Sequence, residues 1–281
     1  SYGADPFMDR ARDQIREIFE APEAAVYLVA TGTVANALAL SLLTPPWGAV
    51  FCHQHAHIAE DECGAPEFYM HGAKLALVHG AHGRMDPAAL EAAIVKAKGG
   101  GVHGVQAAAV SITNVTEAGT TYTPAEVAAL TAVAKSYNLP SHLDGARFAN
   151  ALVSTGASPA DMTWRAGIDV LSFGGTKNGL LGVEAVVFFH PEKAWEFELR
   201  RKRAGHLVSK SRYLAAQMAA MLTDERWLHW ASQANAMAAR LAQGLQAAGV
   251  TMAHPVQGNI LFVDWPQGTA ARLRAFSAST R

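Results

Sequence analysis

One lysine lies in the segment SFGGTKNG, residues 172–179, between two apolar runs that have the composition of buried strands. Most lysines reach solvent or pair with a carboxylate, and Lys177 could do the same. Partial burial would instead lower the pKa of its amine and make it a nucleophile for a carbonyl carbon. Gly174 and Gly175 would let a flat ligand lie close to the backbone beside it. The segment therefore indicates amine chemistry on a carbonyl compound.

A carboxylate and a guanidinium follow another apolar segment, in the order Asp144-Gly145-Ala146-Arg147. A buried, ionised aspartate needs a cationic partner, because an unpaired charge is costly in the protein interior. Arg147 could be that partner. Alternatively, Asp144 could face a protonated heterocycle, which would leave the two-pronged donor array of Arg147 free to bind a substrate carboxylate.

The segment Thr31-Gly32-Thr33 opens a predicted helix directly after the apolar run AVYLVA, residues 25–30. Free N–H groups at a helix start, a glycine and two hydroxyl groups suit a phosphate, although an ordinary helix cap explains the same residues. The sequence contains neither G-x-G-x-x-G nor G-x-x-x-x-G-K-[ST]. A phosphate site here would therefore not be one of the usual nucleotide loops.

Two further polar clusters follow predicted strands. Residues 53–57 read HQHAH and precede the acidic residues 60–62, so a metal cluster, one imidazole lying on an aromatic ring and an ordinary surface loop are all conceivable. In the second cluster, NVTEAG (114–119), Asn114 and Thr116 could bind substrate, or the segment could be simple turn chemistry.

These groups would meet if the elements around them form a mostly parallel sheet with helices on both faces. Apolar runs alternate with amphipathic helices, and Thr123-Pro124-Ala125-Glu126 has the residues of a capping box. Ligands of such sheets bind at the carboxyl ends of the strands. A first helix is predicted over Asp9–Phe19, and an almost wholly helical region over residues 191–249. The predicted strands are Ala25–Ala30, Ala49–Cys52, Lys74–Val78, Val105–Ile112, Ser141–Leu143, Asp169–Phe173, Ala185–Phe189 and, less regular, Ile260–Val263.

Composition limits the possible partners. The 281-residue chain is half hydrophobic and has a formal net charge of -1, so no long-range field would recruit nucleic acid or an anionic membrane. No apolar run approaches the roughly 18 to 20 residues that span a bilayer. The two cysteines, Cys52 and Cys63, are too few for a disulfide framework. We therefore expect a cytoplasmic protein with a small-molecule partner.

Together, the strand ends would supply an amine for an imine, a phosphate cradle, a carboxylate for a ring nitrogen and an arginine for a substrate carboxylate. Pyridoxal 5′-phosphate bound to an amino acid requires this set of groups. We therefore predict that cofactor, an amino acid substrate and no metal ion. A cofactor-free lysine aldolase would explain Lys177 but would leave Asp144 and residues 31–33 without a function.

The sequence also resembles the pyridoxal-phosphate-dependent threonine aldolases, a family with the aspartate-aminotransferase fold. The combination of HLDGAR with GGTKNG is specific, and the similarity is greatest to bacterial low-specificity and phenylserine-cleaving members. The matching segments follow the order of the family: SYGADPF at the start, ATGTVANALAL (30–40), HIAEDECGAPEF (57–68), SHLDGARFANA (141–151) and WRAGIDVLSFGGTKNG (164–179).

This resemblance implies a role for each candidate residue. Lys177 would hold the cofactor covalently, Asp144 would pair with the pyridine nitrogen, and Arg147 would bind the substrate carboxylate. His57 would stack on the ring near the β-hydroxyl group. The phosphate would be held by Thr31, Gly32, Thr33 and Thr176.

The implied reaction is the reversible cleavage of L-threonine, L-allo-threonine or an L-phenylserine-type β-hydroxy-α-amino acid into glycine and an aldehyde. Many members have Asn-Thr-His-Asn where this chain has Asn114-Val115-Thr116-Glu117, which makes His57 the candidate base in place of the missing histidine. Alternatives on the same scaffold are a β-eliminating lyase, a transaldolase, a racemase and a non-catalytic sensor that keeps the cofactor pocket.

The resemblance further implies a fold type I architecture in three layers, αβα. A large cofactor-binding domain is expected over residues 1–225 and a smaller α+β domain, expected to be incomplete, over residues 226–281. Family members assemble so that neighbouring subunits complete each other's sites, so we expect a homo-oligomer, either a dimer or a tetramer.

Overall fold

A single mixed sheet forms the centre of the molecule. The computed structural model describes residues 2–265, 268–269, 271–272 and 274. Seven strands make the sheet: β1 (Ala25–Val29), β2 (Gly48–His53), β3 (Lys74–Val78), β4 (Gln106–Thr113), β5 (Ser141–Gly145), β6 (Val170–Gly174) and β7 (Glu184–Phe188). Their order is β1-β7-β6-β5-β4-β2-β3. Neighbouring strands from β6 to β3 are parallel, and β7 runs antiparallel to both β1 and β6, so the predicted mostly parallel sheet is confirmed.

Helices account for most of the remaining described residues. Short 3-10 turns connect several of them, including one over Thr176–Asn178. The α-helices are α1 (Pro6–Ile18), α2 (Gly32–Leu43), α3 (His57–Glu60), α4 (Ala65–Tyr69), α5 (Pro87–Gly99), α6 (Pro124–Ser136), α7 (Phe148–Thr155), α8 (Pro159–Met162), α9 (Ala194–Arg203), α10 (Arg212–Leu222) and α11 (Arg226–Ala247).

Both faces of the sheet are buried, as a parallel sheet requires. On one face, side chains such as Leu143 and Leu171 pack with α1, α5, α6, α7 and α10. On the other face, Val170 and Val186 pack with α2 and α9. Each fully buried side chain of this size contributes roughly 1.5 to 3 kcal/mol, so the two layers hold the strand ends in fixed positions.

Local capping explains where the helices begin. The Thr123 hydroxyl accepts the N–H of Glu126, and the Glu126 carboxylate accepts the N–H of Thr123, which confirms the predicted capping box. Helix α1 begins three residues earlier than predicted, because the Asp5 carboxylate accepts the N–H groups of Phe7 and Met8. Such a cap satisfies donors that have no partner within the helix.

The carboxyl-terminal part differs from the prediction. The region from 191 to 249 is helical but is interrupted between α9 and α10. The strand predicted over Ile260–Val263 is wrong in extent. Instead, two short antiparallel strands pair, β8 (Thr251–Met252) with β9 (Val263–Asp264). The segment between β8 and β9 contacts the loop that follows β4, since the N–H of Thr121 donates to Oε1 of Gln257.

Two findings bear on the environment of the chain. None of the described helices is both long enough and apolar enough to cross a membrane. Both cysteines are free thiols, Cys52 in the core and Cys63 at the surface.

Candidate active site

A cavity of about 300 Å³ lies where β1, β5 and β6 end and where α2 and α3 begin. Neighbouring strands place their final residues side by side here: Asp144 of β5 is in register with Thr113 of β4 and Ser172 of β6. The cavity is lined by seven of the residues predicted from the sequence: Thr31, Gly32, Thr33, His57, Asp144, Thr176 and Lys177.

Lys177 lies on the 3-10 turn that follows β6, and its side chain is exposed in the cavity rather than desolvated. Its position is set by Glu184 of β7, whose Oε2 accepts the N–H of Gly175 at 2.7 Å. The hydroxyl of Thr176 accepts the N–H of Val183 at 3.2 Å. Burial raises the pKa of Glu184. This residue was not among those predicted from the sequence. The turn is thus tied to the antiparallel strand beside it.

The two glycines before Lys177 have a packing task that was not predicted. A Cβ on Gly174 would collide with the carbonyl group of Ala146, and one on Gly175 would lie 2.5 Å from the carbonyl oxygen of Val183. The close approach is therefore between segments of this chain, and the glycines are needed for that packing whether or not a ligand is bound.

Asp144 is buried, and its carboxylate has only neutral donors. Its Oδ1 accepts the N–H of Ala146 at 3.0 Å, and its Oδ2 accepts Nδ2 of Asn36 at 2.8 Å. Within the described part of the chain it forms no salt bridge, and so Arg147 is not its ion-pair partner. A negative charge at the floor of the cavity is left for a cationic ligand group.

Arg147 precedes α7 and does not itself line the cavity, although its neighbour Ala146 does. Its Nε is shielded from solvent and has no hydrogen-bond acceptor in the described part of the chain. Among the residues the structure describes, the guanidinium has no ion pair either. Burial lowers the pKa of Arg147, and the nearby charges of Asp144 and Glu117 act in the opposite direction. Arg147 is thus a half-buried cation available to an anion.

His57 is oriented by Glu62, a residue that the sequence analysis did not select. Nδ1 of His57 lies 2.9 Å from Oε1 of Glu62, whose side chain is completely buried. This hydrogen bond raises the pKa of His57, whereas burial raises the pKa of Glu62. Both shifts favour protonation of the pair. Once the pair has lost that proton, Glu62 is a carboxylate that can only accept, so the remaining imidazole proton lies on Nδ1 and Nε2 carries a lone pair.

Asn36 joins the two sides of the cavity. Its Nδ2 donates both to Oε1 of Glu62 at 2.9 Å and to Oδ2 of Asp144 at 2.8 Å. A continuous hydrogen-bonded chain therefore runs from His57 to Asp144. The sequence carried a signal for it, since Asn36 is a polar residue in the almost wholly apolar helix α2.

Asn114 and Thr116 do not reach the cavity, although both were predicted to contact substrate. The amide of Asn114 is fully buried and exchanges hydrogen bonds with the backbone of Tyr122. The hydroxyl of Thr116 lies 2.8 Å from that of Thr120. The structure therefore gives both side chains partners inside their own loop, and they shape that loop instead.

The three histidines of HQHAH have separate partners. Nε2 of His53 lies 3.1 Å from the carbonyl oxygen of Gly80, and Nδ1 of His55 lies 2.9 Å from Oε1 of Glu60. They do not converge with His57. No group of three or more histidine, cysteine, aspartate or glutamate side chains that could hold a metal ion occurs among the described residues.

Fold and site together define an α/β protein with an amine, a carboxylate and an imidazole around one cavity at the ends of its strands. The chain belongs to the beta-eliminating lyase family, whose model matches residues 1–267. It is 41% identical over 276 residues to the low specificity L-threonine aldolase of Pseudomonas aeruginosa, and equally to that of a Pseudomonas species. Each alignment covers 98% of this chain and 79% of the relative.

Solved structures agree. The threonine aldolase of Leishmania major superposes with a TM-score of 0.92 at 32% identity, over 98% of this chain and 79% of that one. A cysteine desulfurase from Thermococcus onnurineus shares the fold alone, with a TM-score of 0.68 at 15% identity over 98% of this chain and 72% of that one. These findings confirm the predicted family and fold class.

Proposed function

We propose that this protein is a pyridoxal-phosphate-dependent aldolase. It would cleave L-threonine, L-allo-threonine or L-phenylserine-type substrates reversibly to glycine and an aldehyde. The observation that carries the proposal is the buried Asp144 carboxylate, which has no cationic partner in the described part of the chain and shares a cavity with Lys177. The 41% identity to two low specificity L-threonine aldolases supports the choice of substrate.

The residues at the cavity fit the cofactor. Asp144 would pair with the protonated ring nitrogen, and Lys177 would bind the aldehyde carbon. The N–H groups of Gly32 and Thr33 are at the start of α2 and have no acceptor within the helix, so they could donate to a phosphate. Thr31 and Thr176 line the cavity beside them and would add hydroxyl donors. A Cβ added to Gly32 would meet no atom within 4 Å, so protein packing leaves that space open. When bound, the cofactor would draw electrons from the substrate's Cα into its ring.

The chain's own residues would bind and orient the substrate. Arg147 would hold the α-carboxylate, and this contact would turn the Cα–Cβ bond into the orientation that breaks most readily. His57, with Nδ1–H donated to Glu62, would accept the β-hydroxyl proton at Nε2. Asp144 would stay opposite the ring nitrogen, held there by Asn36 and the backbone of Ala146. Since Asn114 and Thr116 have other partners, neither is needed for these steps.

The decisive experiment uses Lys177→Ala with Lys135→Ala as a matched control, because Lys135 is exposed on α6, away from the cavity. The parent protein and the control should show the visible absorbance of lysine-bound cofactor and should release benzaldehyde and glycine from L-phenylserine. Lys177→Ala should lose both. An absorbance band that survives in Lys177→Ala would refute the proposal.

The nearest rival is the β-eliminating activity after which the family is called. Quantifying glycine and aldehyde against a 2-oxo acid and ammonia separates the two, because only elimination yields the second pair. A transaldolase or a racemase would be revealed by a transferred aldehyde product or an inverted Cα. A sensor would bind cofactor and amino acid without releasing any product.

We further propose a homo-oligomer in which a second copy covers the cavity. Leu181 lines the cavity yet is 96% exposed, and Phe68 and Trp195 are exposed to 75% and 73% on α4 and α9, which both pack against α2. Burying such side chains against another copy would be favourable. The domain division between residues 225 and 226 and a cytoplasmic location also stay predictions, as does whether the assembly is a dimer or a tetramer.

A further inference from the structure

Glu117 is a carboxyl group for which the proposed reaction has no use. Its Oε1 accepts the backbone N–H of His57 at 2.7 Å. Its Oε2 is shielded from solvent and has no hydrogen-bond partner in the described part of the chain. Burial, reinforced by the negative charge of Asp144, raises the pKa of Glu117 to about 7. Near neutral pH this group therefore exists both as the neutral acid and as the anion.

The ionisable groups that interact electrostatically with Glu117 are Asp144, His57, Arg147, Cys52 and Tyr122. Burial raises the pKa of the Cys52 thiol to about 12 and raises that of Tyr122 as well, so both stay neutral in the working range. The charges that act on Glu117 are thus those of Asp144, His57 and Arg147.

Arg147 links Glu117 to the substrate. The guanidinium has no ion pair among the described residues, and the proposed function assigns it the substrate carboxylate. A bound carboxylate would bring a second anion to the cation that stabilises ionised Glu117. Two anions in a partly desolvated site repel each other, so binding of one favours protonation of the other.

We propose that Glu117 is a positioning residue whose Oε1 holds the backbone of His57 in place and whose charge competes with the substrate carboxylate for Arg147. Carboxylate binding therefore takes up a proton at Glu117, and affinity falls as the pH rises through neutrality. Since it needs a substrate carboxylate at Arg147, this inference rests on the proposed function.

The test measures binding of 3-hydroxybutyrate to the cofactor-loaded protein by calorimetry. This probe has the carboxylate and β-hydroxyl of threonine but no amine, so amine ionisation cannot mask the effect, and no turnover is needed. In the parent protein the dissociation constant should rise about tenfold between pH 6 and pH 8.5, as expected if the bound carboxylate raises the pKa of Glu117 by about one unit. Proton uptake should appear as a dependence of the binding enthalpy on the buffer.

The variant Glu117→Gln keeps an oxygen that can accept the His57 N–H but cannot ionise. Its dissociation constant for 3-hydroxybutyrate should be nearly independent of pH. The control is Glu60→Gln, since Glu60 is exposed and its carboxylate contacts His55. In this control the dissociation constant should vary with pH as in the parent protein. A pH dependence that persists in Glu117→Gln would assign the effect to His57 and overturn the proposal. An absence of proton uptake, or of binding, in the parent would overturn it even if the variant fails to fold.

A second readout separates the two tasks of Glu117. Replacing it with alanine removes the acceptor for the His57 N–H as well as the charge, so kcat for aldehyde release should fall well below that of Glu117→Gln. Equal kcat values for the two variants would refute the anchoring of His57. Failure of aldol cleavage with pH-dependent 3-hydroxybutyrate binding intact would sink only the proposed function.

Discussion

His57 and His142 both lie near Asp144, yet their pKa values move in opposite directions. Nδ1 of His57 donates to the carboxylate of Glu62, and this hydrogen bond raises the pKa of the ring. His142 of β5 is completely buried, which lowers its pKa to about 4. Its Nδ1 and Nε2 each lie 2.9 Å from a serine hydroxyl group, those of Ser111 and Ser172.

The difference teaches that partner chemistry decides what a shielded histidine can do. A carboxylate stabilises the protonated ring and can share its proton, so the ring can cycle between the two states. Serine hydroxyls can donate to one nitrogen and accept from the other, which satisfies the neutral ring completely. His57 is therefore suited to proton transfer, and His142 to holding three strands together.

The largest expected effect comes from His57→Phe, which keeps a ring but removes the proton acceptor. We expect kcat for L-phenylserine cleavage to fall about 10²- to 10⁴-fold, the usual contribution of a general base. The control is His55→Phe, since His55 is exposed and binds Glu60 instead of Glu62. Retention of activity within about tenfold of the parent would remove His57 from the role of base.

A smaller effect is expected from Glu62→Gln. The neutral amide can still accept a hydrogen bond, but without the carboxylate the pKa of His57 should fall. Activity requires neutral His57 and is lost as the pH drops below its pKa, so the acidic limb of the kcat/KM profile should move to lower pH. A charge-assisted hydrogen bond is more stabilising than a neutral one by about 1.4 kcal/mol. Losing this difference between His57 and residue 62 should lower kcat/KM at the pH optimum about tenfold.

The profile of Glu60→Gln provides the control for this prediction, because Glu60 pairs with His55 outside the cavity. If the acidic limb of Glu62→Gln coincides with that of the parent, Glu62 does not control the ionisation of His57. The contrast between the two histidines would then lose its explanation.

The last effect concerns stability instead of activity and belongs to His142. In the unfolded chain its pKa is near 6.5, whereas in the folded protein it is about 4, so the unfolded state binds more protons between these values. Stability contributed by the neutral ring is therefore fully present above pH 6.5 and is lost as the pH falls toward 4. From pH 7 to pH 5 we expect a loss of about 2 kcal/mol in the free energy of unfolding.

Urea denaturation at the two pH values checks this expectation against His142→Gln, which keeps a donor and an acceptor but cannot become charged in this range. From pH 7 to pH 5, the free energy of unfolding should decrease less in the variant than in the parent protein. An identical pH dependence in both proteins would mean that His142 is protonated without cost in the folded state.

Much of the site could be predicted because it lies at strand ends. Lys177, Asp144 and residues 31–33 were selected as polar groups after apolar runs, and all of them line one cavity. The prediction was less successful within loops. Asn114 and Thr116 looked available for substrate, but Tyr122 and Thr120 of the same loop already satisfy them.

The supporting residues were missed for a common reason. Glu62, Asn36 and Glu184 act through contacts between different elements, at separations that run from 9 residues for Glu184 and Gly175 to 108 residues for Asn36 and Asp144. Spacing along the sequence does not specify such contacts. Only a polar residue in an apolar helix or strand hints that a distant partner exists.

The sequence by itself determined the order of strands and helices along the chain, the capping box at Thr123 and the reactive groups at strand ends, because periodicity and capping depend on residues a few positions apart. Tertiary structure alone decided that Asn36 joins Glu62 to Asp144, that Arg147 has no ion pair with Asp144, and that Glu117 holds the backbone of His57. Hydrogen bonds and burial depend on where α2, α3, β5 and the loop after β4 come to lie relative to one another.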